Sequence, residues 1–393
     1  SLNGSQGDRI QLLFNGINVN NEQSGNADIS QLPIGLLTNL EFIPVGSSSR
    51  YGNSAMAGVV NISSKNDNAF SLDFNKIING YSINQSSTFQ FKKINIGYHL
   101  GSFKAKKIID WNENGSYNPD INTHKNYNWF SSGLIQNYLY NWVSTKTLNY
   151  SYNLFSLLTD NKRNHSSKIY GPEYHPSIND GIFLVGSSLS FQKFKSITSY
   201  KEQWIDYKSI SPYTPPIHAI HKLKVLKNNI EFNFKNSSIF NQLIQTQSIS
   251  SNTSPEDTTS IQSHLGFTFR NINPIINTFF SYRIAHQKYV NPIQTYEFIF
   301  QKFFTVLPIN SSMIFSKNYK QPNFNDLYWQ PFGNKNLQTE YSNNFYLSNH
   351  FSWKKFKIDI LSHYIIYQNM IQWVPKPGNH DYWSPENIQS ATS

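Results

Sequence analysis

Lys93-Ile94-Asn95-Ile96-Gly97-Tyr98-His99-Leu100 decides the fold class, because its apolar residues recur at every second position. Successive side chains leave opposite faces of an extended strand, so Ile94, Ile96, Tyr98 and Leu100 share one face. The design returns at 280–285, where Phe280, Tyr282 and Ile284 oppose Ser281, Arg283 and Ala285, and again at Lys357–Tyr364. From about Ala69 onward such segments follow one another, giving about 15 strands of roughly 10–14 residues.

The connections carry more information than the strands. Tight polar ones fall around Lys92-Lys93, Asn141, Gln192-Lys193, Lys235-Asn236, Asn271, Lys302 and Lys354-Lys355. Between them come longer ones, around 104–127, 158–180, 207–220, 250–257, 288–292, 317–340 and 370–387. Tight and long alternate throughout. An antiparallel up-and-down barrel has two rims that consecutive connections visit in turn, and membrane barrels keep short turns on one rim and long loops on the other. In lipid each backbone N–H and C=O must be paired within the protein, which forces a sheet to close. A soluble propeller would alternate too, but with strands nearer about five residues.

Composition agrees. Aromatics are 16% of the 393 residues and charged residues only 14%, against about 25% charged in ordinary globular domains. Mean hydropathy is −0.49, and no apolar run approaches the roughly 18 residues of a membrane helix. Tyr, Phe and Ile are too abundant for a disordered chain. The absence of Cys excludes disulfides, zinc ribbons and thiol catalysis. The eight Trp fall mostly near expected strand ends or loops, where amphipathic rings sit at headgroup level. The net charge of +10 has two readings, AT-rich coding bias or a basic functional surface. No signal-peptide pattern begins at Ser1.

Residues 1–66 have a different texture, small and Gly-rich. Leu12-Leu13-Phe14-Asn15-Gly16-Ile17-Asn18-Val19-Asn20 is followed by Ser24-Gly25-Asn26-Ala27-Asp28-Ile29-Ser30-Gln31-Leu32-Pro33-Ile34. Leu40-Glu41-Phe42-Ile43-Pro44-Val45-Gly46-Ser47-Ser48-Ser49-Arg50-Tyr51-Gly52 runs on to Gly58-Val59-Val60-Asn61-Ile62. These segments resemble the plug domain of TonB-dependent outer-membrane receptors. Gln321-Pro322-Asn323-Phe324-Asn325-Asp326-Leu327-Tyr328-Trp329 with Gly333–Glu340 is similar to a stretch of the same receptors' barrel, and Trp383-Ser384-Pro385-Glu386-Asn387 to a later loop. Within the family the 24–34 run is closest to the vitamin B12 (cobalamin) receptors. Asn15-Gly16 stands where the family has Asp-Gly, and Val45-Gly46 where it has Arg-Gly. The lost Arg puts a plug–barrel ion pair there in doubt, with Arg50 as a substitute.

The resemblance implies an all-β membrane protein, an antiparallel transmembrane barrel with part of a small α/β plug inside it. Residues 1–66 would be the C-terminal half of the plug and 67–393 the barrel. Family barrels have about 22 strands, so a chain lacking the first half of the plug and the last strands is expected. The implied function is active import of a large, scarce ligand across the bacterial outer membrane, a corrinoid first and a ferric siderophore second. The implied partners are the TonB energy-transducing complex, the ligand and outer-membrane lipid. A wide barrel for a large ligand needs a stopper, so ligand should meet the plug apices. The candidates are Asn20, Asn21, Glu22, Gln23, Ser24, Gly25 and Asn26, and a second group of Ser47, Ser48, Arg50 and Tyr51; solvated turns without contact are the alternative. Gly16, Gly46, Gly52 and Gly58 suit positive φ or close backbone approach.

No cofactor is required. Asp110-Trp111-Asn112-Glu113-Asn114-Gly115 fits the opening of a calcium loop. Its closing position is Ile121, with Asp120 one residue early, so Asp110, Asn112, Asn114 and Asp120 compete with an Asx-rich turn. Enzyme motifs are absent: there is no G-x-S-x-G, H-E-x-x-H or P-loop. His218 and His221 lie in a Pro-rich stretch without an acidic third ligand. Phe91-Lys92-Lys93 and Trp353-Lys354-Lys355-Phe356 fit an inner rim better than a nucleic-acid surface. Rival classes are a passive porin-like channel of about 16 strands and a soluble glycan-binding β-protein.

Overall fold

The computed structural model describes residues 6–33, 36–64, 70–77, 80–111, 127–164, 177–209, 217–250, 258–273, 276–287, 290–304, 309–329, 332–376 and 379–392. A small sheet comprises β1 (Ile10–Phe14), β2 (Ile17–Asn18), β3 (Leu37–Ile43) and β4 (Gly58–Ser64), ordered β2-β1-β4-β3. β1 runs parallel to β4 in its centre. That explains why Leu12, Leu13 and Phe14, each at most 3% exposed, form a continuous apolar run: both faces of the strand are covered. Asn15 and Gly16 turn the chain into β2 with φ of 49° and 80°, the left-handed pair that a two-residue hairpin demands. A four-residue helix, α1 (Ser48–Tyr51), precedes β4.

The large sheet has sixteen antiparallel strands in strict chain order. They are β5 (Ser71–Ile77), β6 (Gly80–Phe91), β7 (Ile94–Trp111), β8 (Tyr127–Lys146), β9 (Tyr150–Asn164), β10 (Ser177–Phe191), β11 (Phe194–Ser209) and β12 (Ile217–Asn233). β13 (Ser237–Ser250), β14 (Thr258–Asn271), β15 (Asn277–Gln287), β16 (Val290–Phe303), β17 (Ile309–Lys320), β18 (Glu340–Trp353), β19 (Phe356–Lys376) and β20 (Asn379–Thr392) complete it. Alternation is plain in β16, where Ile293, Thr295 and Glu297 are buried while Tyr296 and Phe298 are 37% and 38% exposed. Leu100, Leu139, Leu158, Leu226, Leu243 and Leu265 are all at least 40% exposed, the apolar outer belt that contact with lipid requires. The small sheet and its loops hydrogen-bond to strands from β8 through β19. The large sheet therefore wraps around the small one as a wall around a plug. β5 and β20 end the order and are not paired with each other among the described residues.

Several expectations change. The wall has sixteen strands, and some exceed the expected length: β7 has 18 residues, β8 has 20 and β19 has 21. Asn141 is inside β8, paired with Ser156 and Tyr98, and the turn falls at 147–149, because one polar residue does not interrupt a continuous ladder. Long connections expected at 288–292 and 370–387 shrink to 288–289 and 377–378. Pro292, Pro375 and Pro385 fall within strands, since proline is tolerated near strand ends, bulges and sheet edges, and the β19–β20 register shifts at Pro375/Lys376. Trp383–Asn387 is accordingly strand, not loop. Trp142 faces the plug at 2% exposure, not the lipid interface.

Candidate functional site

The first predicted apex is a turn built on its own amides. Asn20 Oδ1 accepts from Leu12 N at 2.7 Å, and Asn20 Nδ2 donates to the carbonyls of Ile10 and Gly25, each at 2.8 Å. Asn21 Oδ1 accepts from Ser24 N at 2.9 Å, and Gly25 N donates to Asn21 O at 2.7 Å, with Gly25 at φ 74°. An Asx-type turn of this kind satisfies its own donors, so the backbone is held rigid. Glu22 pairs with Lys201 of β11, and Glu22 N donates to Gln203 Oε1 at 3.1 Å.

The segment between β17 and β18 closes over this turn. Its helix α2 (Phe324–Tyr328) starts with a capping box, in which Asp326 N donates to Asn323 Oδ1 and Asn323 N to Asp326 Oδ2. The two reciprocal bonds satisfy donors that a helix start leaves open. Trp373 Nε1 donates to Asp326 Oδ1 at 3.1 Å, tying the helix to β19. Burial raises the Asp326 carboxyl, and Lys320 works against that rise. The segment grips the plug: Asn323 Nδ2 donates to Ser24 O at 2.9 Å and Asn325 N to Gln23 O at 3.0 Å.

Between the turn, this segment and the outer ends of β13–β15 lies a cavity of about 1120 Å3. Asn20, Asn21, Glu22 and Gly25 line it. Gln262, Gln287 and Gln321 join amide to amide across its side at 2.8–3.2 Å. Phe324, Tyr328 and Tyr341 supply aromatic surface. Its charges are largely spent on protein partners: Glu22 on Lys201, and Lys320 on Asp8 at 2.6 Å. Lys335 has no carboxylate partner among the described lining residues and stands 5.5 Å over the Tyr328 ring. The chamber thus presents amides, hydroxyls and aromatic rings with little free charge.

The second predicted group is elsewhere. Ser47 and Ser48 are fully buried. Ser47 Oγ donates to Glu297 Oε1 at 2.9 Å, and Ser48 N donates to Asn318 Oδ1 at 2.8 Å. Arg50 grips Glu297 with Nε at 2.7 Å and Nη2 at 2.9 Å, so it does supply a plug–wall ion pair. Tyr51 O accepts from Gln11 Nε2. Ser47, Ser48, Arg50 and Tyr51 do not line the cavity; Ser47, Ser48 and Arg50 fasten the plug to β16 and β17, and Tyr51 packs within the plug on Leu13, Ala55 and Val59. Gly46 lets this happen, since a Cβ there would meet Met56 O at 2.2 Å and Asn318 Nδ2 at 2.4 Å.

His218 and His221 are on β12, where His218 Nε2 meets Asp206 Oδ1 at 2.9 Å and His221 packs on Phe324. No group of three metal-binding side chains occurs among the described residues. Of the calcium candidates, Asp110 sits in β7, while Asn112, Asn114 and Asp120 lie outside the described residues. Sequence reasoning missed the cavity role of Asn323, Phe324, Leu327 and Tyr328, although their motif had been singled out for its resemblance.

The plug carries a further anchor with a pH signature. Arg163 of β9 bridges Asp28 at 2.9 Å and Asp180 at 2.8 Å. Burial would raise the Asp28 carboxyl, but bonds from Ser30 and Arg163 outweigh it and hold it below the usual aspartate range. A depressed carboxylate contributes fully above the unfolded value of about 3.9 and loses that contribution as pH falls through its folded value. Amide exchange at Ser30, whose N–H bonds Asp28 Oδ1 at 3.0 Å, should therefore stay slow until pH drops below the usual aspartate range. Arg163→Gln should move that fall to higher pH, and an unchanged profile would refute the assignment.

Comparison with known proteins places these features. Residues 1–59 match the TonB-dependent Receptor Plug Domain. The ferric enterobactin receptor PfeA of Pseudomonas aeruginosa is similar in structure, with TM-score 0.73 and 15% identity over 98% of this chain and 70% of that one. The siderophore receptor PirA from Acinetobacter baumannii gives 0.72 and 12%, over 98% and 69%. The copper transporter OprC gives 0.75 and 9%, over 98% and 67%. At such identities the structural likeness establishes the fold, a barrel-type wall around a plug.

Proposed function

The chain belongs to the TonB-dependent receptors, by its plug domain and its fold, and on that premise we propose that it imports a corrinoid across the bacterial outer membrane. It acts as a transporter and not as an enzyme. Residues 1–66 form the stopper and 67–393 the wall, a division supported by the change of sheet between Ser64 and Ser71. A TonB complex supplies the energy that moves the stopper. Ligand binds in the cavity over the 20–26 turn, and the observation that carries the finer reading is its lining. Amides of Asn21, Gln262, Gln287, Gln321 and Asn323 can exchange hydrogen bonds with a ligand rich in amides. Tyr328 and Phe324 offer flat apolar surface to a large ring.

Ferric-siderophore uptake is the second reading, favoured by the names of the structural relatives PfeA and PirA. A strongly anionic complex would call for several free cations, whereas Lys335 alone among the described lining residues lacks a carboxylate partner. Titration with cyanocobalamin and with ferric enterobactin separates the two. Saturable cyanocobalamin binding, weakened about tenfold or more by Tyr328→Ala, is expected; enterobactin binding without cyanocobalamin binding would overturn the corrinoid reading. Deleting residues 1–66 should make the wall leak small solutes, whereas a passive channel would hardly change.

A further inference from the structure

We infer that the cargo passes the plug along strands β11–β18, while β8–β10 keep hold of the plug on the other side; the inference rests on the import reading above. The plug–wall interface is two-sided. On β8–β10, Phe14 and Ile17 of the plug pack with Tyr140, Phe155, Leu157 and Leu184 in one buried apolar cluster. Rings meet there edge to face, Phe14 lying 5.8 Å from Tyr140 and 5.9 Å from Phe155. These strands add polar bonds of their own, Arg163 to Asp28 and Gln136 Nε2 to Ser30 O, but from β11 to β18 the wall meets the plug chiefly through charges and amides. Arg283 Nε donates to Ser49 O at 3.0 Å, Asn344 Nδ2 to Met56 O at 2.8 Å, and Glu297 receives Arg50.

The same polar side holds buried atoms without partners among the described residues: Ser248 Oγ, Ser281 Oγ, Thr295 Oγ1, His264 Nε2 and both ring nitrogens of His221. Each of these residues is at most 4% exposed. Buried polar groups find partners, and where the protein gives none, water does. β8–β10 carry such atoms too, on Trp142, Asn153, Asn161, Arg163 and Asp180, but there they accompany the apolar cluster that holds the plug. On β12–β16 no buried apolar cluster shared with the plug accompanies them among the described residues.

This asymmetry sets the order of separation. Parting the polar side exchanges protein hydrogen bonds for water bonds, with a small net change. Parting the apolar side exposes hydrocarbon to water with nothing in return. A plug under load therefore comes away from β11–β18 first and stays seated on β8–β10. The opened gap would be lined by hydroxyl, imidazole, amide and ammonium groups, Lys227 among them within electrostatic reach of Lys201, Arg283 and Glu22. It suits a hydrophilic, hydrogen-bonding cargo.

The chain has no cysteine, so single thiols report without ambiguity. Ser248→Cys and Ser281→Cys mark the polar side, and Leu157→Cys and Leu184→Cys the apolar side. The purified full receptor, without ligand, is treated with a small charged methanethiosulfonate in graded urea. Heat-modifiable migration shows that each wall has folded, and labelling after full denaturation counts the thiols. The serine-site thiols should react first, with midpoints about 1 M lower in urea. Leucine-site thiols reacting first, or all four together, would overturn the inference. Because no ligand or energy source is used, the result stands apart from the test of corrinoid import.

Discussion

Replacing Glu340 by alanine is expected to weaken docking of the plug by about 3–5 kcal/mol, the usual effect of removing one partner from a buried ion pair. Arg9 Nε and Nη2 meet the two Glu340 oxygens at 2.6 and 3.0 Å in a planar fork, and the side chains are 1% and 0% exposed. Without Glu340 the guanidinium keeps Gln6 Oε1 and Ile371 O, with Asp8 3.6 Å away, and remains buried with its charge poorly matched. Ile371 N loses its acceptor as well. Amide exchange in β1, which begins at the next residue, should accelerate by about a hundredfold or more. Glu297→Ala should do less, since Arg50 is 26% exposed and water can replace the lost partner. Removing both charges, as Arg9→Met with Glu340→Leu, should recover much of the loss, because the desolvation penalty goes with them. Unchanged β1 exchange in Glu340→Ala would mean that the fork does not hold the plug.

Phe14→Ala should have an effect of similar size from the opposite physics. Phe14 is fully buried and packs edge-on against Tyr140 and Phe155. Truncation removes transfer energy and leaves a cavity that the hydrogen-bonded wall cannot collapse to fill, about 3–5 kcal/mol in all. Urea release of the plug, followed by exchange in β1 and β4, reads the loss. Phe89→Ala on the outer face, where the ring is 64% exposed, serves as the control and should leave the plug midpoint unmoved. Phe14 and Arg9 have different partners, Tyr140 and Phe155 for one and Glu340 for the other, so their losses should add; strong coupling would instead show the plug–wall interface acting as one unit.

Much of the architecture follows from local pattern. A period of two over some three hundred residues can only be strand, and polar turns such as Lys92-Lys93 and Gln192-Lys193 mark where the chain reverses. Asn15-Gly16 had to be a left-handed turn, and the apolar run beside it a doubly covered strand. Pro292 and Pro385 lie in strands where long connections were expected, because tolerance of proline depends on whether its position needs a ladder donor, and only the neighbouring strand decides that.

The candidate site divides the same way. That 20–26 forms a rigid polar turn was legible, since asparagine and glycine at those spacings close on their own backbone. Which residues face it was not. Asn323 reaches Ser24 across 299 positions and Glu340 reaches Arg9 across 331, and no local pattern encodes such partners. Ser47 and Arg50 look like an exposed apex until Glu297, 250 and 247 positions away, draws them into the wall. Sequence alone determined the strands, the turns and which faces are apolar, because these depend on neighbours a few residues apart. Tertiary structure decided which polar groups meet a partner and which stay open to a ligand, because burial is a property of the wrapped sheet.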